Sequence, residues 1–227
     1  HAEALKEAGL GRITVSLDSL DAKVFKKMAG NRGSVGEVLE GIAAAEEAGF
    51  SRMKVNTVVQ RGVNDHTVID LVEHFRNSGH TVRLIEFMDV GNVNQWDRQL
   101  VVPSADLLKM IHDRWELRPV AKQPAGETAR RYAFEDGAGE IGFISSITEP
   151  FCGDCSRARI TAEGLFYNCL FSAHGTVLRE RIRDGMSADE LTGVIRDLWA
   201  KRADRYSELR NKLPRTQPHV EIYRMGG

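Results

Sequence analysis

Two hydrophobic periods alternate along the first hundred residues. Short runs of alternating, largely β-branched residues predict three strands, at residues 12–17, 53–59 and 82–87. Apolar positions at helical spacing lie between these runs, first Val35, Val38, Leu39 and Ile42 and then Val68, Leu71, Val72 and Phe75. This order of strands and helices predicts a parallel α/β sheet with right-handed crossovers.

The turns between these elements help to choose among parallel folds. None carries the glycine-rich turn of a dinucleotide-binding sheet or a phosphate-binding P-loop. Polar side chains instead gather where the predicted strands end, which is typical of the site of a β/α barrel. We therefore expect residues 1–100 to form the later strands of an incomplete parallel, TIM-like β/α barrel.

The pattern changes after Gly91. A helix is predicted at 104–115, and short strand-like runs follow at 116–121, 130–134 and 140–145, separated by the turn signals Pro124-Ala125-Gly126 and Asp136-Gly137. Another hairpin is predicted from 157–161 and 165–167, which together with these runs indicates antiparallel sheet. We therefore expect an α/β fold in which residues 101–227 form a second region.

Two helices, at 176–184 and 188–203, are predicted to complete this second region. Ser187 and Glu190 have the spacing of a capping box at the start of the second helix. The helix carries an apolar stripe that we interpret as facing the core, formed by Leu191, Val194, Ile195, Leu198 and Trp199.

Composition excludes two classes of partner. The 227 residues carry 31 basic and 32 acidic side chains, a net charge of −1, so there is no global basic field for nucleic acid. No run of about 18 apolar residues is present, so we expect no membrane span.

The first residues lack an apolar signal core and begin within a helical pattern. We expect a cytoplasmic protein and a chain cut from a larger one.

All three cysteines lie in one segment with the spacing Cys152-x2-Cys155-x13-Cys169. A Cys-x2-Cys turn can bind one metal or cluster, and the predicted hairpin would return Cys169 beside it. Three thiolates leave one position open on a tetrahedral zinc or a four-iron cluster, and the spacing favours neither. Arg157 and Arg159 follow directly, and their planar donors suit an anionic or guanine-like ligand.

Several other interpretations remain open at this stage. The cysteines could be buried apolar residues, or a disulfide with one free thiol. Zinc with His174 as fourth ligand would make the chain a zinc-stabilised α/β metabolic or binding module, and a nucleic-acid-binding zinc module is disfavoured by the charge. Lys54 and Arg83 lie on predicted strands, where they either face solvent or face inward and require an anion.

Several segments, in the right order, resemble the GTP 3′,8-cyclase family, radical S-adenosylmethionine (SAM) enzymes of molybdenum cofactor biosynthesis. They are residues 12–20, 54–58, 83–92, 151–159 and 168–170, followed by the terminal Gly226-Gly227. The resemblance covers nearly the whole chain. It implies a lyase that converts GTP and SAM to 3′,8-cyclo-7,8-dihydro-GTP.

The resemblance also implies roles for particular residues. A second [4Fe-4S] cluster, whose cysteine-free iron binds the purine of GTP, would be held by Cys152, Cys155 and Cys169. Further contacts to GTP would come from Lys54, Arg83, Arg157, Ala158 and Arg159, the first two at the triphosphate. Contacts to SAM would come from Ser16 and Met88. The tail Gly226-Gly227 would reach toward the active site.

The reaction implied by the resemblance begins at a different, first [4Fe-4S] cluster. Cleavage of SAM there gives a 5′-deoxyadenosyl radical, which takes hydrogen from C3′ of GTP before C3′ attacks C8. The product would pass to cyclic pyranopterin monophosphate synthase, the next enzyme. The first cluster needs a Cys-x3-Cys-x2-Cys motif, and no cysteine precedes Cys152. We therefore assign no catalytic residue here and expect the 227-residue chain alone not to cleave SAM.

A partial barrel would expose apolar strand edges. Unpaired edge strands are templates for pairing with another chain. We therefore expect self-association, for which a homodimer is the simplest form.

Overall fold

The computed structural model describes residues 1–121, 126–210, 212 and 220–225. They form two compact units. The first comprises His1–Phe87 and Arg98–Glu149, and the second comprises Met88–Asp97 and Pro150–Gly227. The turn predicted at Pro124-Ala125 and the terminal Gly226-Gly227 lie outside the described residues.

A six-stranded mixed sheet forms the centre of the first unit. Its strands are β1 (Thr14–Ser16), β2 (Lys54–Val59), β3 (Thr81–Glu86), β4 (Leu117–Pro119), β5 (Arg130–Phe134) and β6 (Glu140–Ile144). Their order is β1-β2-β3-β6-β5-β4. The pairs β1–β2, β2–β3 and β3–β6 are parallel, and the pairs β6–β5 and β5–β4 are antiparallel. The predicted parallel sheet is therefore confirmed, with β6 as a fourth parallel strand.

Helices cover one face of this sheet. They are α1 (Ala2–Glu7), α2 (Ala22–Met28), α3 (Val35–Glu47), α4 (Val68–Phe75) and α5 (Ser104–His112), with 3-10 turns at Asp65–Thr67 and Arg98–Leu100. The side chains of β2 alternate between buried and half-buried, so Val55 and Val59 join the core while Lys54 lies on the opposite face. The main hydrophobic core is built from β2, β3 and the stripes of α3 and α4. The face that carries Lys54 also carries Asn56 and Arg83, together with the half-buried Val58 and Ile85.

The second unit contains a small antiparallel sheet and short helices. Its strands are β7 (Arg159–Ile160), β8 (Leu165–Tyr167) and β9 (Thr176–Val177), and its helices are α6 (Arg179–Arg183), α7 (Ala188–Ala200) and α8 (Tyr206–Leu209), followed by a 3-10 turn at Ile222–Met225. The predicted hairpin is confirmed by the pairing of Arg159 with Tyr167. The capping box of Ser187 and Glu190 is also confirmed.

One prediction for this unit was wrong. Residues 176–177 begin no helix, because the β-branched pair Thr176-Val177 hydrogen-bonds along β8 as a third strand. The predicted stripe of α7 is half-buried at all five positions, and none of its side chains is fully buried. Ile195 and Trp199 of that stripe line an open, mainly apolar pocket of about 430 Å³ together with Ala158.

The boundaries of the two compact units differ from the division that we predicted near residue 100. Residues 98–149 belong to the first unit because β6 pairs with β3, and β5 and β4 extend the same sheet. The functional division at residue 100 stays a prediction. Within the described parts of the chain, no helix combines the length and apolar character required to cross a bilayer.

Candidate functional site

The three cysteines of the second unit are carried by one turn and one hairpin. The backbone N–H of Cys155 donates to the carbonyl of Cys152 at 3.3 Å, which closes the Cys-x2-Cys turn. Cys169 follows strand β8 by two residues. All three are free thiols and half-buried. Each thiol is therefore partly accessible to an incoming metal ion or cluster.

Arg157 changes the chemistry of the neighbouring thiol. Its Nε and Nη2 atoms lie 3.4 and 3.2 Å from Sγ of Cys155. Burial raises the pKa of Cys155, but hydrogen bonds from the backbone and guanidinium of Arg157 outweigh it, so the pKa is lowered overall. The thiolate is the form that binds metal. Arg157 therefore favours the thiolate form of Cys155, which is the form that can bind a metal.

Cys169 and Arg159 have different surroundings. Burial raises the pKa of the Cys169 thiol more than the backbone N–H of Phe171 lowers it, and the neighbouring Cys152 raises it further. Burial also lowers the pKa of Arg159, which the thiols of Cys155 and Cys169 counteract. The three sulfurs and this half-buried arginine thus share one electrostatic environment.

The donor set fits an iron–sulfur cluster chemically. Three soft thiolates suit zinc or iron–sulfur centres rather than hard cations. Within residues 1–121, 126–210, 212 and 220–225, no three His, Cys, Asp or Glu side chains are grouped closely enough to hold one metal ion. In a cluster each cysteine binds a different iron atom, so the sulfurs stand further apart than around a single ion.

Helix α8 is tied to both arms of the cysteine segment. Asp89, which is fully buried, accepts hydrogen bonds from Tyr206 Oη at 2.8 Å and Arg210 Nε at 2.9 Å. The ring of Phe171, two residues after Cys169, stacks on Tyr206 with centroids 4.6 Å apart. The pKa of Glu208, on α8, is lowered mainly by the hydrogen bond from the Arg205 guanidinium. Backbone hydrogen bonds from Cys152 and Gly153 lower it further, so Glu208 also contacts the Cys-x2-Cys turn. We call Asp89, Phe171, Tyr206 and Arg210 the α8 lock.

Removal of the charge within the α8 lock should destabilise the second unit. We expect Asp89→Asn to lower the free energy of unfolding by about 3 kcal/mol, because it leaves the buried Arg210 guanidinium without its counter-ion. Urea denaturation followed by circular dichroism measures the change. Asp197→Asn, at an exposed position of α7, is the matched control and should change stability by less than about 0.5 kcal/mol. Equal midpoints for the two variants would show that the lock contributes nothing.

A row of polar residues crosses the open face of the first unit. Ser16, Asn56, Arg83 and Gly142 are paired in register across four parallel strands. Arg83 Nε donates to Asn56 Oδ1 at 2.7 Å. A Cβ atom at Gly142 would lie only 3.3 Å from Cγ of Arg83. The glycine therefore leaves space for the arginine stem to lie across the sheet.

Lys54 and Arg83 form a pair of cations on this face. Both are half-buried, and neither forms an ion pair with any residue that the structure describes. Burial lowers the pKa of both side chains, and for Lys54 the charges of Arg83 and Arg12 lower it further. Half-buried cations that repel each other are stabilised by an anion. Both side chains lie half-buried on the face of the sheet opposite the hydrophobic core, so the structure matches neither alternative in full.

The predicted site residues are divided between the two units. Lys54, Arg83 and the exposed Ser16 belong to the first unit, and the three cysteines belong to the second unit together with Met88, Arg157, Ala158 and Arg159. Met88 is half-buried, and its carbonyl accepts a hydrogen bond from Asn94 Nδ2 at 2.9 Å. His174 is exposed. Sequence reasoning missed the α8 lock, whose members are far apart along the chain.

Comparison with known proteins decides the family. The profile of the radical SAM superfamily matches residues 1–75, and the profile described as Molybdenum Cofactor Synthesis C matches residues 80–208. A GTP 3′,8-cyclase of Xanthomonas axonopodis pv. citri (strain 306) is 52% identical over 227 residues, which cover 100% of this chain and 67% of the relative. This chain belongs to the GTP 3′,8-cyclase family.

Other GTP 3′,8-cyclases show a similar level of identity to this chain. That of Xanthomonas campestris pv. campestris (strain B100) is 51% identical and is covered to 66% by the whole of this chain. That of Synechococcus sp. (strain CC9605) is 45% identical, with 99% of this chain and 67% of the relative covered. The chain thus spans about two thirds of the length of these GTP 3′,8-cyclases. The family predicted from the sequence is confirmed, with its assignment to radical SAM enzymes and molybdenum cofactor synthesis.

Proposed function

We propose that this chain is the GTP-binding part of a GTP 3′,8-cyclase, which converts GTP and SAM to 3′,8-cyclo-7,8-dihydro-GTP. The observation that carries the proposal is the cysteine segment of the second unit. Three half-buried free thiols lie on a turn and a hairpin, and one is held toward its thiolate form by Arg157. This is the chemistry that an iron–sulfur centre with a vacant position requires.

In the second unit, Cys152, Cys155 and Cys169 would hold the second [4Fe-4S] cluster. When bound, such a cluster supplies an iron position without a protein ligand, to which a purine nitrogen or oxygen can bind. Arg157 and Arg159 supply planar donors that match a guanine edge or a phosphate, and exposed Ala158 between them would contribute its backbone. The half-buried Arg159 loses less water on binding than a fully exposed arginine does.

In the first unit, Lys54 and Arg83 would bind the triphosphate. The charge of an anion that reaches them offsets the burial that lowers the pKa of both side chains, and the repulsion from Arg83 that lowers the pKa of Lys54 further. Asn56 holds the guanidinium of Arg83 in place at 2.7 Å. On the family resemblance, Ser16 and Met88 would contact SAM, and the sheet would be the later part of a β/α barrel.

The protein's share in this reaction is to bind and orient the reactants and to exclude water from them. The 227 residues contain three cysteines, all used by the proposed second cluster. We therefore assign no residue of this chain to the cleavage of SAM. Within the pathway, cyclic pyranopterin monophosphate synthase would consume the product.

Loss of either first-unit cation should weaken GTP binding. We expect Lys54→Met and Arg83→Met each to raise the dissociation constant of GTP by about tenfold to a hundredfold, the range for losing a charged hydrogen bond. Isothermal titration at two salt concentrations measures the change and its ionic component. Lys26→Met, at an exposed position of α2, is the matched control and should leave the constant unchanged. An unaltered affinity in both cation variants would rule out the triphosphate role.

A further inference from the structure

Arg202 lies two positions after the end of helix α7 and contacts the Cys-x2-Cys turn. Its Nη1 atom donates a hydrogen bond to the carbonyl oxygen of Cys155 at 2.5 Å, across 47 positions of the chain. Its backbone N–H donates to the carbonyl of Trp199, and its guanidinium lies over the Trp199 ring, 5.1 Å from the centroid. The end of α7 therefore holds this guanidinium against a proposed cluster ligand.

The contact brings the charge of Arg202 close to the sulfur of Cys155. The carbonyl oxygen and the Sγ atom of one cysteine are separated by four bonds, which limits their distance to about 5 Å. Nη1 of Arg202 therefore lies within about 8 Å of Sγ. This is no more than the screening length at physiological ionic strength, about 8 Å. Cys155 thus has Arg157 at its sulfur and Arg202 at its carbonyl.

The guanidinium of Arg202 is partly withdrawn from water. Its Nε atom is buried and has no hydrogen-bond partner among the residues that the structure describes. Its side chain contacts a carbonyl oxygen and an aromatic ring, and no carboxylate in the described part of the chain forms an ion pair with it. A cation in such surroundings is stabilised by a nearby anion. Thiolate ligands beside it would supply that negative charge.

The positive charge of Arg202 acts on two of the three thiols. Burial has the largest effect on the pKa of Cys155 and of Cys169 and raises both, whereas the charge of Arg202 lowers both. The reduction potential of an iron–sulfur cluster depends on the charge and the hydrogen bonds around it. Because reduction adds a negative charge, a neighbouring cation favours the reduced form.

We propose that Arg202 is a positioning residue of the second cluster, which holds the carbonyl of Cys155 and places a fixed positive charge that raises the reduction potential of the cluster. This inference rests on the proposed cluster at the three cysteines and adds a residue that tunes it. The alternative is that Arg202 only stabilises the carboxyl end of α7, as basic side chains at the end of a helix do.

Redox titration of the anaerobically reconstituted 227-residue chain, followed by its electron paramagnetic resonance signal, tests the inference. We expect Arg202→Met to lower the equilibrium constant for reduction about tenfold, which is about 59 mV for one electron. Arg202→Lys keeps a positive charge and a donor, so it should stay within about twofold of wild type. Lys201→Met is the matched control. It removes the same charge from an exposed side chain at the same end of α7 and should also stay within about twofold.

The alternatives give different results. If Arg202 only stabilises the end of α7, Arg202→Met lowers the urea midpoint of unfolding but leaves the potential unchanged, and the proposal is overturned. If the summed charge of the region sets the potential, Lys201→Met shifts it as much as Arg202→Met does, which also overturns it. A potential of Arg202→Lys as low as that of Arg202→Met would show that the charge does not act.

Failure of the cluster itself is distinguishable from failure of this role. Where wild type binds zinc or no iron, the proposed cluster and the role of Arg202 are both wrong. Where wild type carries about four iron atoms per chain and Arg202→Met has the same potential, only the role of Arg202 is wrong. If Arg202→Met loses the cluster or is unfolded by circular dichroism, Arg202→Gln replaces it. The same downward shift is expected, because glutamine is also uncharged.

Discussion

Replacement of Cys169 by serine is expected to remove nearly all iron and labile sulfide from the anaerobically purified protein. Cys169 is the ligand that the β7–β8 hairpin returns to the Cys-x2-Cys turn, and burial already disfavours its thiolate unless a metal binds it. A serine hydroxyl is a harder and much weaker acid, so it does not replace the thiolate. Iron and sulfide assays with the visible absorption spectrum measure the loss.

Two control variants make the result specific. Ser172→Ala lies in the same loop, where only the backbone N–H of Ser172 bonds the carbonyl of Cys169, and should keep full iron content. His174→Ala should also keep it, whereas it would lower metal content if His174 were the fourth ligand of a zinc. Cys169→Ser should weaken GTP binding as well. Full iron retention in Cys169→Ser would remove Cys169 from the cluster.

Replacement of Glu86 by alanine is expected to have the largest effect on stability, about 3–5 kcal/mol. The carboxylate of Glu86 is fully buried and accepts hydrogen bonds from the backbone N–H groups of Ser104, Ile147 and Thr148, each at 2.8 Å. Thr148 Oγ1 donates a fourth, at 2.5 Å. Alanine leaves these buried donors without an acceptor and opens a cavity at the end of β3.

Urea denaturation provides the measurement for this prediction. Glu73→Ala, at an exposed position of α4 with a surface ion pair to Arg114, is the matched control and should cost less than about 1 kcal/mol. Near-equal unfolding midpoints for the two variants would show that the Glu86 contacts are energetically neutral. A large gap would identify Glu86 as the clamp that joins β3, α5 and the loop after β6.

The sequence predicts the parallel part of the sheet because its strands bury alternate residues. The periods of β2 and β3 and of helices α3 and α4 are visible in the chain itself. The side chain of Lys54 could not be oriented from the sequence. The structure orients it, because Val55 and Val59 face the core and Lys54 therefore projects from the opposite face.

Contacts between distant residues account for what the sequence did not predict. Glu86 lies at a strand end where a site residue is expected, yet its partners Ile147 and Thr148 are 61 and 62 positions away and make it a structural clamp. Asp89 meets Tyr206 and Arg210 over 117 and 121 positions. Local patterns carry no information about such pairs.

The site itself was predictable where its chemistry is local. The cysteine spacing and the two adjacent arginines identify a metal or cluster segment without any structure. The effect of Arg157 on Cys155 is also local, since the two residues are two positions apart. The contact of Arg202 with the carbonyl of Cys155 joins residues 47 positions apart, so no local pattern predicts it.

The most direct test of the central claim is the electron paramagnetic resonance spectrum of the reduced, anaerobically reconstituted chain, recorded with and without GTP. We expect about four iron atoms per chain and a cluster signal that changes on addition of GTP but not of inorganic tripolyphosphate. That result would show that the purine binds at the cluster of the cysteine segment. A colourless protein with stoichiometric zinc, or a cluster signal that GTP leaves unchanged, would contradict the account.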